Sequence, residues 1–225
     1  MSVRSLRPPR IPSRLAEEDE TSRGDDFSHS LVRGDFSAQS REDTHVEQSR
    51  IVQAQFTGAL LSRSRLTDVV VENSDFSGAE LDEAVIERVE FRECRMSGVI
   101  FSRCSLRDVR FVGCRVNEAN FRMSKIAQVL FEDVELRGSD FYAATMESTS
   151  FFDCDLTNAE FTKASIPDVR FHGSTLLDLK GAEYLTGAII ESSQVLPVAL
   201  AVLAALRIRI DDEREPRETV RNKRL

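Results

Sequence analysis

The chain has 225 residues, 38 acidic against 30 basic side chains, a formal net charge of −8 at neutral pH, and no tryptophan. That acidic balance argues against a surface built to neutralise phosphates, so no direct nucleic-acid binding is expected. No apolar run reaches the roughly 18 residues of a membrane span and the N-terminus lacks a signal-peptide core, so the expected setting is cytoplasmic, away from membranes.

Residues 1–26 are polar and unpatterned, passing from Arg4, Arg7, Arg10 and Arg14 to Glu17, Glu18, Asp19 and Glu20. That composition predicts a disordered tail whose charges are solvated. Across 27–53 a five-residue phase is detectable at Leu31, Phe36, Val46 and Ile51, with Arg41 breaking it. The segment reads as a degenerate first coil, or N-terminal cap, shielding the exposed edge of the first regular coil.

From Ala54 to Asp178 the period is strict. Every fifth residue is large and apolar, from Phe56, Leu61, Leu66 and Val71 through Ile166, Phe171 and Leu176. Two residues before each stands a small or slim one, such as Ala59, Ser64, Cys94, Ala119 and Ser174. A period of five fits neither a helix face nor an alternating strand. It fits a coil that turns a corner every five residues with the large and the small residue both pointing inward. One such coil cannot bury its apolar face alone, so coils must stack into a solenoid.

Ser74-Asp75-Phe76, Ala119-Asn120-Phe121, Ser139-Asp140-Phe141 and Ala159-Glu160-Phe161 resemble the pentapeptide-repeat family, whose pattern is roughly A-[D/N]-L-x-x. The resemblance implies a right-handed quadrilateral β-helix with four pentads per coil. Residues 54–178 then make about six coils, a rod on the order of 30 Å long at ~4.8 Å between stacked strands. On four pentads per coil, Phe91, Phe111, Phe131, Phe151 and Phe171 stack on one face, and Phe101, Phe121, Phe141 and Phe161 on the opposite one. The nine form the expected structural core, in two offset aromatic ladders.

Residues 179–210 lose the phase. After an irregular turn, Ser192 or Ser193 can cap a helix running to about Leu206, with Pro197 in its first turn. Val195, Leu196, Ala199, Leu200, Val202, Leu203 and Leu206 give it an apolar face wider than one exposed helix should carry. It reads as a cap over the rod's end or as a homodimerisation helix, the latter a device the resemblance implies. Arg207-Ile208-Arg209-Ile210 alternates as a short strand would. Residues 211–225 read as a disordered charged tail.

Nothing suggests catalysis, a metal or a cofactor. Cys94, Cys104, Cys114 and Cys154 sit in the small inward column at spacings unlike zinc sites, and read as buried small hydrophobes. His29, His45 and His172 are unrelated in position, and Gly58, Gly78, Gly98 and Gly138 read as corners. What remains is the surface. Val112, Leu130 and Phe152 are apolar yet point outward on one face, and with Leu196, Leu200 and Leu203 they are the candidate interaction residues.

The expected function is a non-catalytic protein-interaction module with an unknown protein partner. The alternative, implied by the resemblance, is a DNA-mimic modulator of type II topoisomerase (gyrase) conferring fluoroquinolone protection. The acidic balance favours it. The mixed faces do not: Arg103, Arg107, Arg110, Arg115, Arg122 and Lys125 make the middle basic, between acidic sections at Glu72–Glu93 and Glu132–Glu160.

Overall fold

The structure is a computed structural model that describes residues 6–19, 21 and 26–211. The strands run in chain order as β1 (Ala16–Glu18), β2 (Asp26–Ser28), β3 (Ser30–Asp35), β4 (His45–Gln55), β5 (Arg65–Glu72), β6 (Val85–Arg92), β7 (Ser105–Val112), β8 (Lys125–Glu132), β9 (Thr145–Glu147) and β10 (Ser150–Phe152). From β4 onward every pairing is parallel and offset by twenty residues, as in Val71↔Phe91↔Phe111↔Phe131↔Phe151. Isolated bridges carry the same offset through the other sides, for example Leu60↔Glu80↔Ile100↔Asn120↔Asp140↔Glu160. Four pentads therefore make one coil, and about six coils make a parallel β-solenoid followed, among the described residues, by one short α-helix.

The large residues and their small companions fill one continuous core. Phe91, Phe101, Phe111, Phe121, Phe131, Phe141, Phe151, Phe161 and Phe171 are each at most 1% exposed. Rings one coil apart stack nearly parallel at 4.7–5.2 Å, and the two ladders meet edge to face at 5.8–6.3 Å. A third stack, Phe36–Phe56–Phe76, lies on another side at 4.6–4.8 Å and gives way to Met96, Val116 and Leu136.

The corners come from the backbone. Two residues after nearly every large residue the chain adopts positive φ, and most of these positions are not glycine: Arg63, Glu83, Arg103 and Met123 stand at φ 56–60°. Left-handed backbone costs an L-residue about 1–2 kcal/mol. Here each such amide donates to a carbonyl on the next coil, as Arg63 does to Asp82 at 2.8 Å and Arg103 to Arg122 at 2.9 Å. The motif's acidic or amide residue helps to hold the turn, because its side chain accepts the amide two residues on. Asp75 accepts Ser77, Asn120 accepts Arg122, and Asp140 accepts Tyr142, all at 2.8–3.0 Å.

The first coil differs from its sequence phase. Val32, not Leu31, is buried and faces Ile51, and a bulge between Val32 and Gly34 absorbs the missing residue. Arg41 keeps its place in the column. Its guanidinium lies 5.2 Å from the Phe36 ring centroid and 5.8 Å from that of Phe27, closing the rod's end by a cation–π contact.

The N-terminal tail is a correction. Residues 6–19 are not a free tail: β1 pairs with β3, and Leu6 to Ser13 lie along the side of the rod. Backbone amides of Arg7 and Arg10, and an ion pair from the half-exposed Arg7 guanidinium to the buried Asp108 carboxylate, hold them there, where composition alone suggested solvated charges. The disorder expected of residues 1–5, 20, 22–25 and 212–225 lies outside the described residues.

At the other end a 3-10 turn (Ser192–Gln194) leads into α1 (Val195–Ala205). The cap is not Ser192 or Ser193 but a reciprocal pair, with Glu191 taking a backbone amide of the turn and Gln194 Oε1 accepting the Glu191 amide at 3.0 Å. Gln194 is buried and also donates to the carbonyls of Phe171 and Ser174, tying the helix to the last coil. No strand forms at Ile208–Ile210. Arg207 turns left-handed at φ 56°, and its amide and that of Ile208 bond back to Ala204 and Leu203. That closed helix end sends the chain away from any strand edge. Among the described residues no helix is long and apolar enough to cross a membrane.

Candidate interaction surfaces

The inward column holds the cysteines and explains their placing. Each thiol donates to a carbonyl of the previous coil, Cys104 to Leu81 at 2.9 Å and Cys114 to Phe91 at 3.5 Å. Serines in the same column do likewise, Ser124 to Phe101 at 2.6 Å and Ser139 to Val116 at 2.8 Å. Cysteine thus stands in for serine as a small inward donor. Burial pushes the Cys104 and Cys154 thiols up to about 12. Cys94 is pushed up by its hydrogen bond with Cys114 and by burial. All four are free thiols. Among the described residues no three of His, Cys, Asp and Glu come together as a metal site.

The corner glycines Gly58, Gly78 and Gly98 stand at φ 62–67°, and an added Cβ would meet nothing within 4 Å. Glu118 and Asn158 fill the same corner elsewhere, so backbone conformation and not space favours glycine there. Gly181 is different: a Cβ would lie 2.2 Å from the Thr162 amide nitrogen, where the last coil closes on the one before.

The rod's sides are laced between coils. Arg103 pairs with Asp82 and Glu83, Arg110 with Glu90 and Glu132, Arg115 with Glu135, and Arg122 with Asp140. Arg63, Arg92 and Arg137 do the same with Asp43, Glu72 and Asp155. Arg107 and Lys125 have no carboxylate partner among the described residues. Most of these pairs are half exposed and contribute about 0–1 kcal/mol each. Their larger effect is on the field, because each paired arginine cancels a carboxylate roughly one rung away.

Val112, Leu130 and Phe152 lie on the same side, each half exposed, but do not form one patch. The register puts Leu130 in the column Val70–Glu90–Arg110–Leu130, and Val112 and Phe152 in the neighbouring column with Glu132 between them. The Phe152 ring meets the His172 imidazole edge-on at 6.1 Å, one coil further along. Leu130 borders a cleft whose other wall is Leu6, Arg7, Pro8 and Pro9.

That cleft belongs to a feature that sequence reasoning missed. Asp68, Arg88 and Asp108 occupy one corner on three successive coils. The Asp108 carboxylate has a fully buried side chain. It accepts the Arg7 amide at 3.2 Å and the Arg7 guanidinium at 2.8 Å from Nε and 2.5 Å from Nη2. Asp68 accepts the Arg10 amide at 3.1 Å and both Nε and Nη2 of Arg88 at 2.8 Å. The Arg88 guanidinium holds the Asp68 carboxyl below the usual carboxylate range against the opposing effect of burial, and the Arg10 amide adds to it. The prolines and the Arg-x-x-Arg spacing of residues 7–10 were the available signal.

On α1, Ala201 is buried, and Val198 and Val202 pack against the rod's end. Leu203 is half-buried, whereas Val195, Leu196, Leu200 and Leu206 are 50–68% exposed. With no charged side chain from Val195 to Leu206, this face is apolar throughout.

Two family descriptions match the chain: pentapeptide repeat region over residues 84–153, and pentapeptide repeats (8 copies) over 54–92 and 139–176. Together they span 54–176 without a gap. No curated protein sequence matches significantly. Among solved structures, full-length QnrB1, a plasmid-mediated fluoroquinolone resistance protein, is similar at 18% identity and TM-score 0.40, covering 84% of this chain and 93% of its own. HetL, a pentapeptide repeat protein involved in heterocyst differentiation regulation in Nostoc sp. strain PCC 7120, is similar at 14% identity and TM-score 0.35, covering 81% and 89%. A pentapeptide repeat protein of the Arabidopsis thaliana thylakoid lumen is similar at 22% identity and TM-score 0.30, covering 60% and 66%.

Proposed function

The chain belongs to the pentapeptide-repeat family, and we propose that it works as a non-catalytic protein-binding rod that pairs with a second copy through α1. The observation that carries this reading is the uncovered face of α1, where Leu196 is 68% and Leu200 50% exposed beside Val195 and Leu206. A helix anchored on one side and left apolar on the other needs cover, and an identical face on a second copy supplies it without unpaired charge. Pairing end to end leaves the sides of both rods free for a protein partner.

Sedimentation velocity from 1 to 100 µM tests this. The wild-type chain should sediment as a dimer, and Leu196→Asp with Leu200→Asp as a monomer with an unchanged β-sheet circular dichroism spectrum. A wild-type chain that stays monomeric throughout that range refutes the pairing.

The competing reading, a surrogate for DNA on a type II topoisomerase, draws support from the net charge of −8. The ion pairs between coils speak against it. A DNA surrogate needs a run of uncompensated carboxylates, and here Asp82, Glu83, Glu90, Glu132, Glu135, Asp140 and Asp155 each face an arginine.

A further inference from the structure

The segment that lies along the rod is held in a repeating register. The amides of Arg7 and Arg10, three residues apart, donate to Asp108 and Asp68, two coils apart. Three residues of proline-type extended chain advance about 9.3 Å, and two coils rise about 9.6 Å. Pro8 and Pro9 fall between the two anchor points and have no amide to satisfy. The Arg7 guanidinium adds a forked contact to Asp108, with Glu87 3.8 Å away. Among the described residues, every hydrogen bond to the Asp108 carboxylate comes from Arg7. Val89 and Leu130 provide the apolar walls beside Leu6, Pro8 and Pro9. Burying a carboxylate is costly unless it is paired and hydrogen-bonded, and here the segment itself does both.

We propose that the Asp68–Arg88–Asp108 corner is a recognition groove for an extended Arg-Pro-Pro segment of a partner protein, and that residues 6–12 of this chain fill it as a tethered occupant. The groove recognises an arginine on Asp108, tolerates prolines at the next two positions, and takes the following amide on Asp68. It is the kind of site that reads a pre-extended, proline-bearing ligand with little ordering entropy. The inference rests on the reading of the rod as a protein-binding scaffold, but it uses a different surface from α1. Its failure therefore shows in arm variants, whereas failure of the α1 reading shows in the wild-type chain and in Leu196→Asp with Leu200→Asp. Because the tether holds the arm at an effective concentration on the order of millimolar, a partner gains access only when its own segment outcompetes the arm or when the arm is clipped.

The test uses a fluorescein-labelled peptide with the sequence of residues 5–14, SLRPPRIPSR, titrated by fluorescence anisotropy into full-length protein. In Arg7→Glu the new carboxylate faces Asp108 and expels the arm, so the peptide should bind at least tenfold more tightly than to the wild-type chain. Arg7→Gln, a milder release, should fall between them. Adding Asp108→Ala to Arg7→Glu should abolish binding, and a peptide with glutamate in place of its first arginine should not bind either variant. Trypsin cleavage after Arg10 and Arg14 should be slow in the wild-type chain and fast in Arg7→Glu, as a direct readout of arm release. The proposal is overturned if the released variants do not bind the peptide, or bind it equally well without Asp108. It is overturned also if Arg7→Glu converts a dimer into monomers, because the groove would then hold the arm of a second copy.

Discussion

Replacing Phe121 with alanine removes a ring from the middle of an aromatic ladder, and the structure sets the size of the effect. The side chain is fully buried. It stacks on Phe101 at 5.1 Å and Phe141 at 5.0 Å, and meets Phe131 edge-on at 6.1 Å. Truncating a buried phenylalanine costs about 3–5 kcal/mol. The upper half of that range applies here because the neighbouring rings cannot collapse into the cavity. Their backbones are pinned at fixed spacing by bonds such as Phe101 N to Asn120 O and Phe121 N to Asp140 O, both 2.7 Å. Phe27, at the rod's N-terminal end, meets one ring among the described residues, Phe36 at 6.1 Å. Phe27→Ala should therefore cost clearly less than Phe121→Ala. Urea unfolding followed by circular dichroism measures both. A reduced slope for Phe121→Ala would report the rod splitting into two units at the damaged coil, as nearest-neighbour coupling allows. A cost below about 1 kcal/mol for Phe121→Ala, or one no larger than that of Phe27→Ala, refutes the rigid-ladder argument.

Other tests come from the same geometry. Because Arg88 holds the Asp68 carboxyl below its ordinary value of about 3.9, the contribution of this pair is present above that pH and lost as pH falls through the lowered folded value. Wild-type urea midpoints should thus drop more steeply between pH 5 and pH 2 than those of Asp68→Asn; parallel profiles contradict the assignment. With Cys104 and Cys154 pushed up to about 12 and all four thiols buried, DTNB should label none in the native protein at pH 8 and all four in denaturant. Fast native labelling contradicts the inward placement. Gly181→Ala should destabilise strongly, since its Cβ would sit 2.2 Å from the Thr162 nitrogen, whereas Gly58→Ala should cost only the roughly 1 kcal/mol of positive φ. Equal melting shifts for the two would refute the steric distinction.

The repeat was legible because it is redundant. Phe91 to Phe171 declare the period many times over, and one irregular pentad cannot hide it. The irregular ends were not. The slip to Val32 is one residue in a short segment, and Arg41 looked like a break because its cation–π role exists only once Phe27 and Phe36 meet edge to face at the rod's end. The left-handed corners leave little trace in composition, since inter-coil hydrogen bonds offset their strain at Arg63 or Met123 as readily as at glycine. Ile208 and Ile210 alternate like a strand, but a strand needs an edge, and the turn at Arg207 leads away from one. The surface was legible least. Which arginine faces which carboxylate depends on the twenty-residue register, and the partners of Arg7 and Arg10 lie 101 and 58 residues away.

If the rod's charges are paired between its own coils, its sides serve as a protein-binding surface and not as a copy of DNA. The direct measurement is DNA supercoiling by the host's type II topoisomerase with increasing amounts of this protein, with and without a fluoroquinolone. Unchanged supercoiling and unchanged drug sensitivity up to tens of micromolar protein is the predicted result. Inhibition or drug protection at low micromolar protein, lost on charge reversal within Glu72–Glu93, would contradict it.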